Sequence, residues 1–479
     1  MTQLKHFIDG RFQASQSGKT FPLIEPATAE TYAEVARGGP EEVDNAVKAA
    51  RKAFPAWSAL TPGDRSEYLH AIAHEIEHQM VAFVEAESRD TGKSLQLARS
   101  IDIPRAVNNF KFFAQLIIGQ ESESHTLPGT LNYTLRQALG PVACISPWNL
   151  PIYLLTWKIA PALASGNTVV AKPSEVTPYT AWMLGEVCQK AGLPPGVLNI
   201  VQGYGHEVGQ ALVEHSDIQA ISFTGGTETG KKIAATAAPQ FKKLSLELGG
   251  KNPNIIFEDA PYEDMLNTTI RSSFANQGEI CLCGSRILVQ SSIYDRFKKD
   301  FVDKVGALKV GDPMEEDTFM GAIVSQAHFE KIQSYISLAR KEGGKVLTGG
   351  NVIELEGRCR KGYFIEPTVI EGLAQSCRTN QEEIFGPVVT LQSFETEEEA
   401  ISLANDVQYG LSATIWTNHL SRAHRVAEKI EAGVIWVNTW LHRDLRTPFG
   451  GMKQSGMGRE GGNMALNFFT EPKNICIKY

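Results

Sequence analysis

Between residues 141 and 223 the chain reads Pro141-Val-Ala-Cys-Ile145, then Thr168-Val-Val-Ala171, Val197-Leu-Asn-Ile-Val201 and Gln219-Ala-Ile-Ser-Phe223. Each run is apolar nearly throughout, the pattern of a strand covered on both faces, and helical segments separate them. Strand and helix in alternation predict an α/β unit built on a parallel sheet. A second set begins near Asn254-Ile-Ile-Phe257 and takes in Arg286-Ile-Leu-Val-Gln290 and Gly433-Val-Ile-Trp-Val437. Two parallel-sheet α/β units are therefore expected. Ahead of them, the first 25 residues read as short strands around an Asp9-Gly10 hairpin turn. Pro40 to Phe54 and Pro62 to Glu87 read as amphipathic helices opened by proline, and a third runs from Asp102-Ile-Pro104 to Ile118.

Composition narrows the class. The 479 residues are 42% hydrophobic and 21% charged, an ordinary folded balance in a chain too long for one core. Lys and Arg number 46 against 54 Asp and Glu, a net charge of −8. Without a long basic run, a dedicated nucleic-acid binder is disfavoured. No stretch of about 18 uninterrupted apolar residues predicts a membrane span. The opening Met1-Thr-Gln-Leu-Lys-His6 lacks an apolar signal core. Seven scattered cysteines suit a reducing cytoplasm better than a disulfide framework. The expectation is a cytoplasmic enzyme.

Three motif matches carry less than they first suggest. His74-Glu-Ile-Glu-His78 fits the zinc-peptidase pattern H-E-x-x-H. On a helix, however, Leu69, Ile72, Ile76, Met80 and Phe83 fall within about 40° of one line, with both histidines about 160° from Ile76. They are expected to face water, and no metal site is predicted. Gly225-Gly-Thr-Glu-Thr-Gly230-Lys-Lys232 nearly matches a P-loop, but lysine stands where a hydroxyl should hold Mg²⁺. Following an apolar strand, it fits a dinucleotide contact at a helix start better. Gly203-Tyr-Gly205-His-Glu-Val-Gly209 misses the usual dinucleotide fingerprint by one residue.

The chemistry-bearing segments lie elsewhere. Phe274-Ala-Asn-Gln-Gly-Glu-Ile-Cys281-Leu-Cys283 puts a cysteine in a polar, glycine-containing stretch, which favours access and a usable thiolate. A thiolate nucleophile needs a base and an oxyanion donor. Leu246-Glu247-Leu-Gly-Gly250 sets one carboxylate between leucines, where semi-burial raises its pKa toward a useful base. The same glutamate would also serve as a salt-bridged strand end. Ser146-Pro-Trp-Asn149-Leu-Pro151 places an amide in a rigid, extended context, as an oxyanion donor or as the cap of the next helix.

Together these segments resemble the aldehyde dehydrogenase superfamily over essentially the whole chain. Pro147-Trp-Asn149, Lys172-Pro-Ser-Glu175, Phe223-Thr-Gly-Gly226, Leu246-Glu247-Leu-Gly-Gly, Gly278-Glu-Ile-Cys281, Glu382-Glu383-Ile-Phe385-Gly-Pro and Pro448-Phe-Gly-Gly451 occur in family order. The resemblance implies that Cys281 is the nucleophile and that Asn149 with the Cys281 backbone N–H holds the oxyanion. Glu247 would activate water against the thioester, and Cys283 would be a bystander. It implies NAD as cofactor, with Lys172 and Glu175 at the adenosine ribose and Glu383 and Phe385 at the nicotinamide end. Ile145, Ser146, Trp148, Gly205, Gly225, Gly226 and Gly249 would complete the cofactor site. A carboxylate at Glu175 repels a 2′-phosphate, which favours NAD⁺ over NADP⁺. Gly226 departs from the family, where serine is common, and so lacks one hydroxyl.

The implied architecture has an NAD-binding domain (1–123 and 140–249), a catalytic domain (250–455) and a small β oligomerisation arm (124–139 and 456–479). A terminal apolar strand, Asn474-Ile-Cys-Ile-Lys-Tyr479, needs an edge to join, which suits a homodimer or homotetramer.

Two arginines sharpen the substrate. Relatives handling neutral aldehydes tend to be apolar at Arg105 and Arg443, and both segments resemble the 2-aminomuconate and 2-hydroxymuconate 6-semialdehyde dehydrogenases. The expected substrate is a carboxylated, unsaturated semialdehyde met by Arg105, Arg443 and Trp157, since planar guanidinium groups suit a carboxylate. Helical periodicity alone places Arg105 in solvent. An enzyme of broader aldehyde specificity is the alternative on the same fold. A zinc peptidase using His74 and His78 is the alternative from another class.

Overall fold

A computed structural model describes residues 1–479. The apolar runs form strands Pro141–Ile145, Thr168–Lys172, Leu198–Ile200 and Ala220–Thr224, and Lys243–Glu247 adds a fifth. All five pair in parallel. Two strands following Pro141–Ile145 lie on one side of it, and the next two lie on the other. That reversal is a topological switch point, and open α/β sheets bind ligands in the crevice it leaves beyond the strands' carboxyl ends. Near-complete burial of these strands explains their unbroken apolarity.

The sheet closes with antiparallel edges. On one side is the hairpin His6–Ile8 with Arg11–Gln13, turned by Asp9 and Gly10 at φ 51° and 73°. On the other, Gly456–Met457 pairs with Leu246 and Glu247. A second sheet of seven strands holds Pro253–Ile256, Arg286–Gln290 and Val434–Val437. It also holds Thr368–Glu371, Val388–Phe394 and Ser412–Trp416, which apolar runs did not reveal.

The expected helix over 62–87 is two helices, Pro62–His78 and Met80–Thr91, broken at Gln79 (φ −100°, ψ 17°). The first starts at a capping box in which the Thr61 and Asp64 side chains each accept from the other's backbone N–H. The third helix, Ile103–Ile118, buries Ile103, Val107, Phe110, Ala114 and Ile117 along one face. Phe110 is fully buried, and truncating such a side chain to alanine costs about 3–5 kcal/mol.

Ser124–Leu127, Thr130–Ala138 and Thr470–Lys478 form a separate three-stranded sheet, in register from Ala138 opposite Thr470 to Thr130 opposite Lys478. Residues 456–469, expected in this arm, instead join the first unit. Gly456–Met457 supplies its sheet edge, and the helix Gly462–Phe468 sinks Ala465 and Leu466 into its core. Burial of that apolar face decides the placement. No helix is long and apolar enough to cross a membrane.

Candidate active site

Every segment singled out from the sequence for cofactor or catalysis converges on the carboxyl ends of the first sheet, except those on the second unit that face it. Two cavities meet there. One, of about 240 Å³, is lined by Trp148, Asn149, Gly225, Gly226, Gly249, Glu383 and Phe385 among others. The other, of about 40 Å³, is narrow and largely apolar, and holds Trp157, Glu247 and Arg443. Cys281 lies in the wall of both.

The loop that presents Cys281 is unusual. After the helix Tyr262–Phe274, Asn276, Gln277 and Gly278 take φ of 52°, 56° and 70°. Two of these are not glycine, and left-handed backbone costs such residues roughly 1–2 kcal/mol each. Side-chain bonds hold the loop there. Asn276 Nδ2 donates to the carbonyls of Asn149 (3.1 Å) and Glu279 (3.1 Å), and Gln277 Nε2 to that of Ala322 (3.0 Å). At Gly278 a Cβ would come within 2.3 Å of the Gly386 carbonyl oxygen, so no side chain fits.

Cys281 is accessible, as expected, being half-buried in the wall of both cavities. Burial pushes its thiol well up, and the Glu383 and Glu247 carboxylates add to the shift. A base is therefore needed. Cys283 is buried, its thiol pushed up to about 12, and it lies in neither cavity wall.

Glu247 ends its strand fully buried, more so than semi-burial implied, and neither carboxylate oxygen meets a protein donor. It is not a salt-bridged strand end. Burial, then the Glu460 carboxylate, hold its carboxyl well above the usual range, while Lys158, Arg443 and Arg459 pull the other way. Behind it, Lys158 Nζ donates to Glu460 Oε1 at 2.7 Å. The sequence reading passed over both. A single lysine in the otherwise apolar helix Pro151–Ala164 was the available signal for Lys158.

Asn149 does not cap the helix that follows, whose cap position is Leu150. Its Nδ2 donates to the Glu279 carbonyl at 2.8 Å, which leaves its second N–H unused, and Asn149 and Cys281 line the same cavity.

Polar groups along the crevice follow the strand ends. Ile145 ends its strand and Ser146 continues from it, its N–H bonded to the Lys172 carbonyl and its Oγ buried without a partner. Lys172 Nζ, buried, donates to Glu175 Oε2 at 2.9 Å, and Glu175 Oε1 accepts from the Gly205 N–H at 3.3 Å. Burial and the lysine oppose each other on Glu175, whose carboxyl ends below its ordinary value. Gly226 caps the helix Thr227–Ala237 without a side-chain bond, and a Cβ there would meet nothing. Lys231 of the P-loop-like run turns instead to exposed Glu228.

Glu383 Oε1 accepts from the Gly250 N–H at 2.8 Å, and a Cβ on Gly249 would lie 2.2 Å from Glu383 Oε2. Phe385 sits at φ 62°, edge-on to Trp148 with ring centroids 5.2 Å apart, and its carbonyl meets His328 Nε2 at 2.6 Å. His328 and Lys331 also line this cavity and carried no sequence motif.

In the narrow cavity the Arg443 guanidinium lies 5.0 Å from the Trp157 ring centre and donates to the Tyr153 hydroxyl at 3.0 Å. Arg105 is half-buried rather than solvated, its guanidinium 5.6 Å from the other participant, the Tyr153 ring. Neither arginine is ion-paired, whereas exposed Arg446 is held by Asp444 at 2.5 Å. His74 and His78 are exposed on the helix Pro62–His78, ring centres 4.1 Å apart, and no further ligand-type side chain completes a metal-binding group.

Residues 12–475 match the model of the aldehyde dehydrogenase family. The chain is similar to the 2-aminomuconic semialdehyde dehydrogenase of Bos taurus, with 51% identity over 100% of this chain and 99% of that protein. It is 47% identical to the 2-hydroxymuconic semialdehyde dehydrogenase of Pseudomonas sp. (strain CF600), over the full length of both. Among solved structures, a Staphylococcus aureus betaine aldehyde dehydrogenase point mutant in complex with NAD⁺ superposes with a TM-score of 0.96. That match has 40% identity and covers 99% of this chain and 96% of the other.

Proposed function

The chain belongs to the aldehyde dehydrogenase family, and we propose that it oxidises a carboxylated, unsaturated semialdehyde, 2-aminomuconate or 2-hydroxymuconate 6-semialdehyde, with NAD⁺. One observation carries the reading: Cys281 stands in a wall shared by the crevice at the first sheet's carboxyl ends and a largely apolar pocket that holds Arg443, which has no ion-pair partner. The similar muconic semialdehyde dehydrogenases support it.

The residues present fit NAD⁺. Gly225 and Gly226 leave a helix start open to a diphosphate, and Gly249 leaves the Glu383 carboxylate uncovered. Lys172 and Glu175 would hold the adenosine ribose, Glu383 the second ribose, and Trp148 and Phe385 would wall the nicotinamide. Ile145, Ser146 and Gly205 would complete the crevice. Bound there, NAD⁺ supplies the hydride acceptor.

The protein's own groups supply the rest. The Cys281 thiol gives up its proton to the Glu247 carboxylate in the same cavity, which releases it to water before the hydrolytic step. The Cys281 sulfur bonds to the aldehyde carbon, while Asn149 Nδ2 and the Cys281 N–H hold the oxygen that gains charge. Loss of hydride leaves a thioester on Cys281. Glu247 then takes a proton from water, the hydroxide adds to the thioester carbon, and the carboxylic acid leaves as the Cys281 thiol reforms. Buried without a donor, Glu247 is a stronger base than an ordinary carboxylate.

Arg443 and Arg105 would bind the substrate carboxylate, with Trp157 as the apolar wall. A cationic aldehyde such as betaine aldehyde fits poorly beside two unpaired guanidinium groups. Seven free cysteines support a reducing cytoplasm, and the exposed Leu127 and Ile477 of the arm sheet support a homodimer or homotetramer. NADH formation across neutral, cationic and carboxylated aldehydes tests the substrate. Turnover should be greatest with the muconic semialdehydes, and a preference for the cationic or neutral members would reject it.

A further inference from the structure

Three ionisable side chains, Glu87, Lys93 and Asp102, are completely buried beneath the segment that carries Asn149. None lies on that segment, and Asp102 also borders the narrow cavity. Two of their bonds run to it. Lys93 Nζ pairs with Asp102 Oδ2 and donates to the Asn149 backbone carbonyl at 2.9 Å. Glu87 Oε1 accepts from the Ile152 N–H at 3.3 Å, and Glu87 Oε2 from the Thr180 hydroxyl at 2.7 Å. The backbone is thus gripped on both sides of Leu150 and Pro151, by a cation on a carbonyl and by a carboxylate on an N–H.

Pure stability is a weak reason for such groups. Taking two charges out of water costs several kcal/mol each, and an apolar replacement of a buried pair is often neutral or stabilising. A buried ion pair does impose one geometry, and here the geometry imposed is that of Asn149. The Asn149 carbonyl also accepts from Asn276 Nδ2 (3.1 Å), on the loop that presents Cys281. Lys93 and Asn276 therefore meet at one oxygen, and the Asn149 backbone is held from two sides.

We propose that Lys93, fixed by Asp102, is a positioning residue that holds Asn149 at the angle and distance the tetrahedral oxyanion requires. The inference rests on Asn149 as oxyanion donor. Such donors act only within a few tenths of an ångström of their target, and removing one slows turnover about 100- to 1000-fold. Losing the anchor should therefore resemble a weaker loss of Asn149 itself.

The test is a double-mutant cycle on the full-length enzyme. Removing Lys93 alone would strand a buried carboxylate and endanger folding, so Lys93→Met is combined with Asp102→Leu, and Asp102→Asn serves as a second, isosteric variant. Each is measured alone and with Asn149→Ala. For the paired change, kcat should fall about 10- to 100-fold with KM little altered, and in the Asn149→Ala background it should cost less than about 3-fold further. Asp102→Asn should show the same pattern at about 3- to 10-fold and decides the matter if the paired variant does not fold. NAD⁺ affinity and the rate at which iodoacetamide alkylates Cys281 should stay within about 2-fold, because neither needs an oxyanion donor. Equal losses in both backgrounds, undiminished kcat, or parallel loss of alkylation would overturn the proposal. Should Asn149→Ala alone keep wild-type turnover, the reading of Asn149 fails instead, whatever the anchor does.

Discussion

Arg443 Nη1 donates to the Tyr153 hydroxyl at 3.0 Å, and the same Tyr153 ring lies 5.6 Å from the Arg105 guanidinium. One tyrosine thus gathers two cations that have no carboxylate of their own. That arrangement supports the proposal that they bind a substrate carboxylate.

Replacing Arg105 or Arg443 with alanine should cost about 10- to 100-fold in kcat/KM for a muconic semialdehyde, at 1.5–3 kcal/mol per charged hydrogen bond. The loss should fall mainly on KM, because the carboxylate is remote from the reacting carbon. A neutral aldehyde of similar length should lose little. Arg446→Ala, whose native partner is Asp444, should behave as wild type. Steady-state kinetics on both aldehydes decides it; equal losses on charged and neutral substrates would make the arginines structural.

Cys281→Ala should abolish turnover while NAD⁺ still binds. Glu247→Ala should stall at the thioester, giving a burst of about one NADH per site. Mass spectrometry of the stalled enzyme should find the acyl group on Cys281. Acylation of Cys283 would refute the assignment.

Deacylation needs the unprotonated Glu247, and burial followed by Glu460 raises its pKa. Its rate should therefore rise with pH through a limb well above the ordinary carboxylate range and flatten once Glu247 is ionised. Glu460→Gln removes a neighbouring negative charge and should shift that limb to lower pH. A pH profile of single-turnover thioester decay measures it. An unshifted limb would separate the two carboxylates.

At the far end of the crevice, Glu175→Gln should relax the preference for NAD⁺ over NADP⁺, since the neutral amide no longer repels a 2′-phosphate. The ratio of kcat/KM values with the two cofactors reports this. A wild type that uses NADP⁺ as well as NAD⁺ counts against it.

Gly249→Ala should weaken NAD⁺ binding at least about 10-fold with little change in melting temperature, because the new methyl would displace a single side chain, that of Glu383, and not the core. Equilibrium NAD⁺ titration reads the effect. Undiminished affinity would mean that Glu383 has no part in the site.

The strands of residues 141–223 were legible because burial on both faces leaves an unbroken apolar run. Ser412-Ala-Thr-Ile-Trp416 is equally buried yet was missed, since its Ser and Thr interrupt that run. The break at Gln79 left no mark either, because glutamine is a good helix former and the apolar period continues through Met80 and Phe83. Cys281, Glu247 and Asn149 were singled out through motif order, which periodicity does not carry. Arg105 shows the limit of a helical wheel: its face is turned from the helix's own core, yet another helix lays Tyr153 across it. Lys93 and Asp102 were invisible for a related reason. Lys93 donates to a backbone carbonyl, which has no residue identity to read, and Asp102 pairs with Lys93 alone.

The strand Gly456–Met457 also sets an order in time. It is the last edge added to the first sheet, and it lies against Leu246 and Glu247, with Glu460 close behind. Synthesis runs from the amino terminus, so a ribosome has made Cys281, Asn149 and both sheets' central strands before it reaches residue 456. A nascent chain can thus shape the Cys281 loop early but cannot wall in Glu247 until nearly the end. The edge that closes over Glu247 is assembled last.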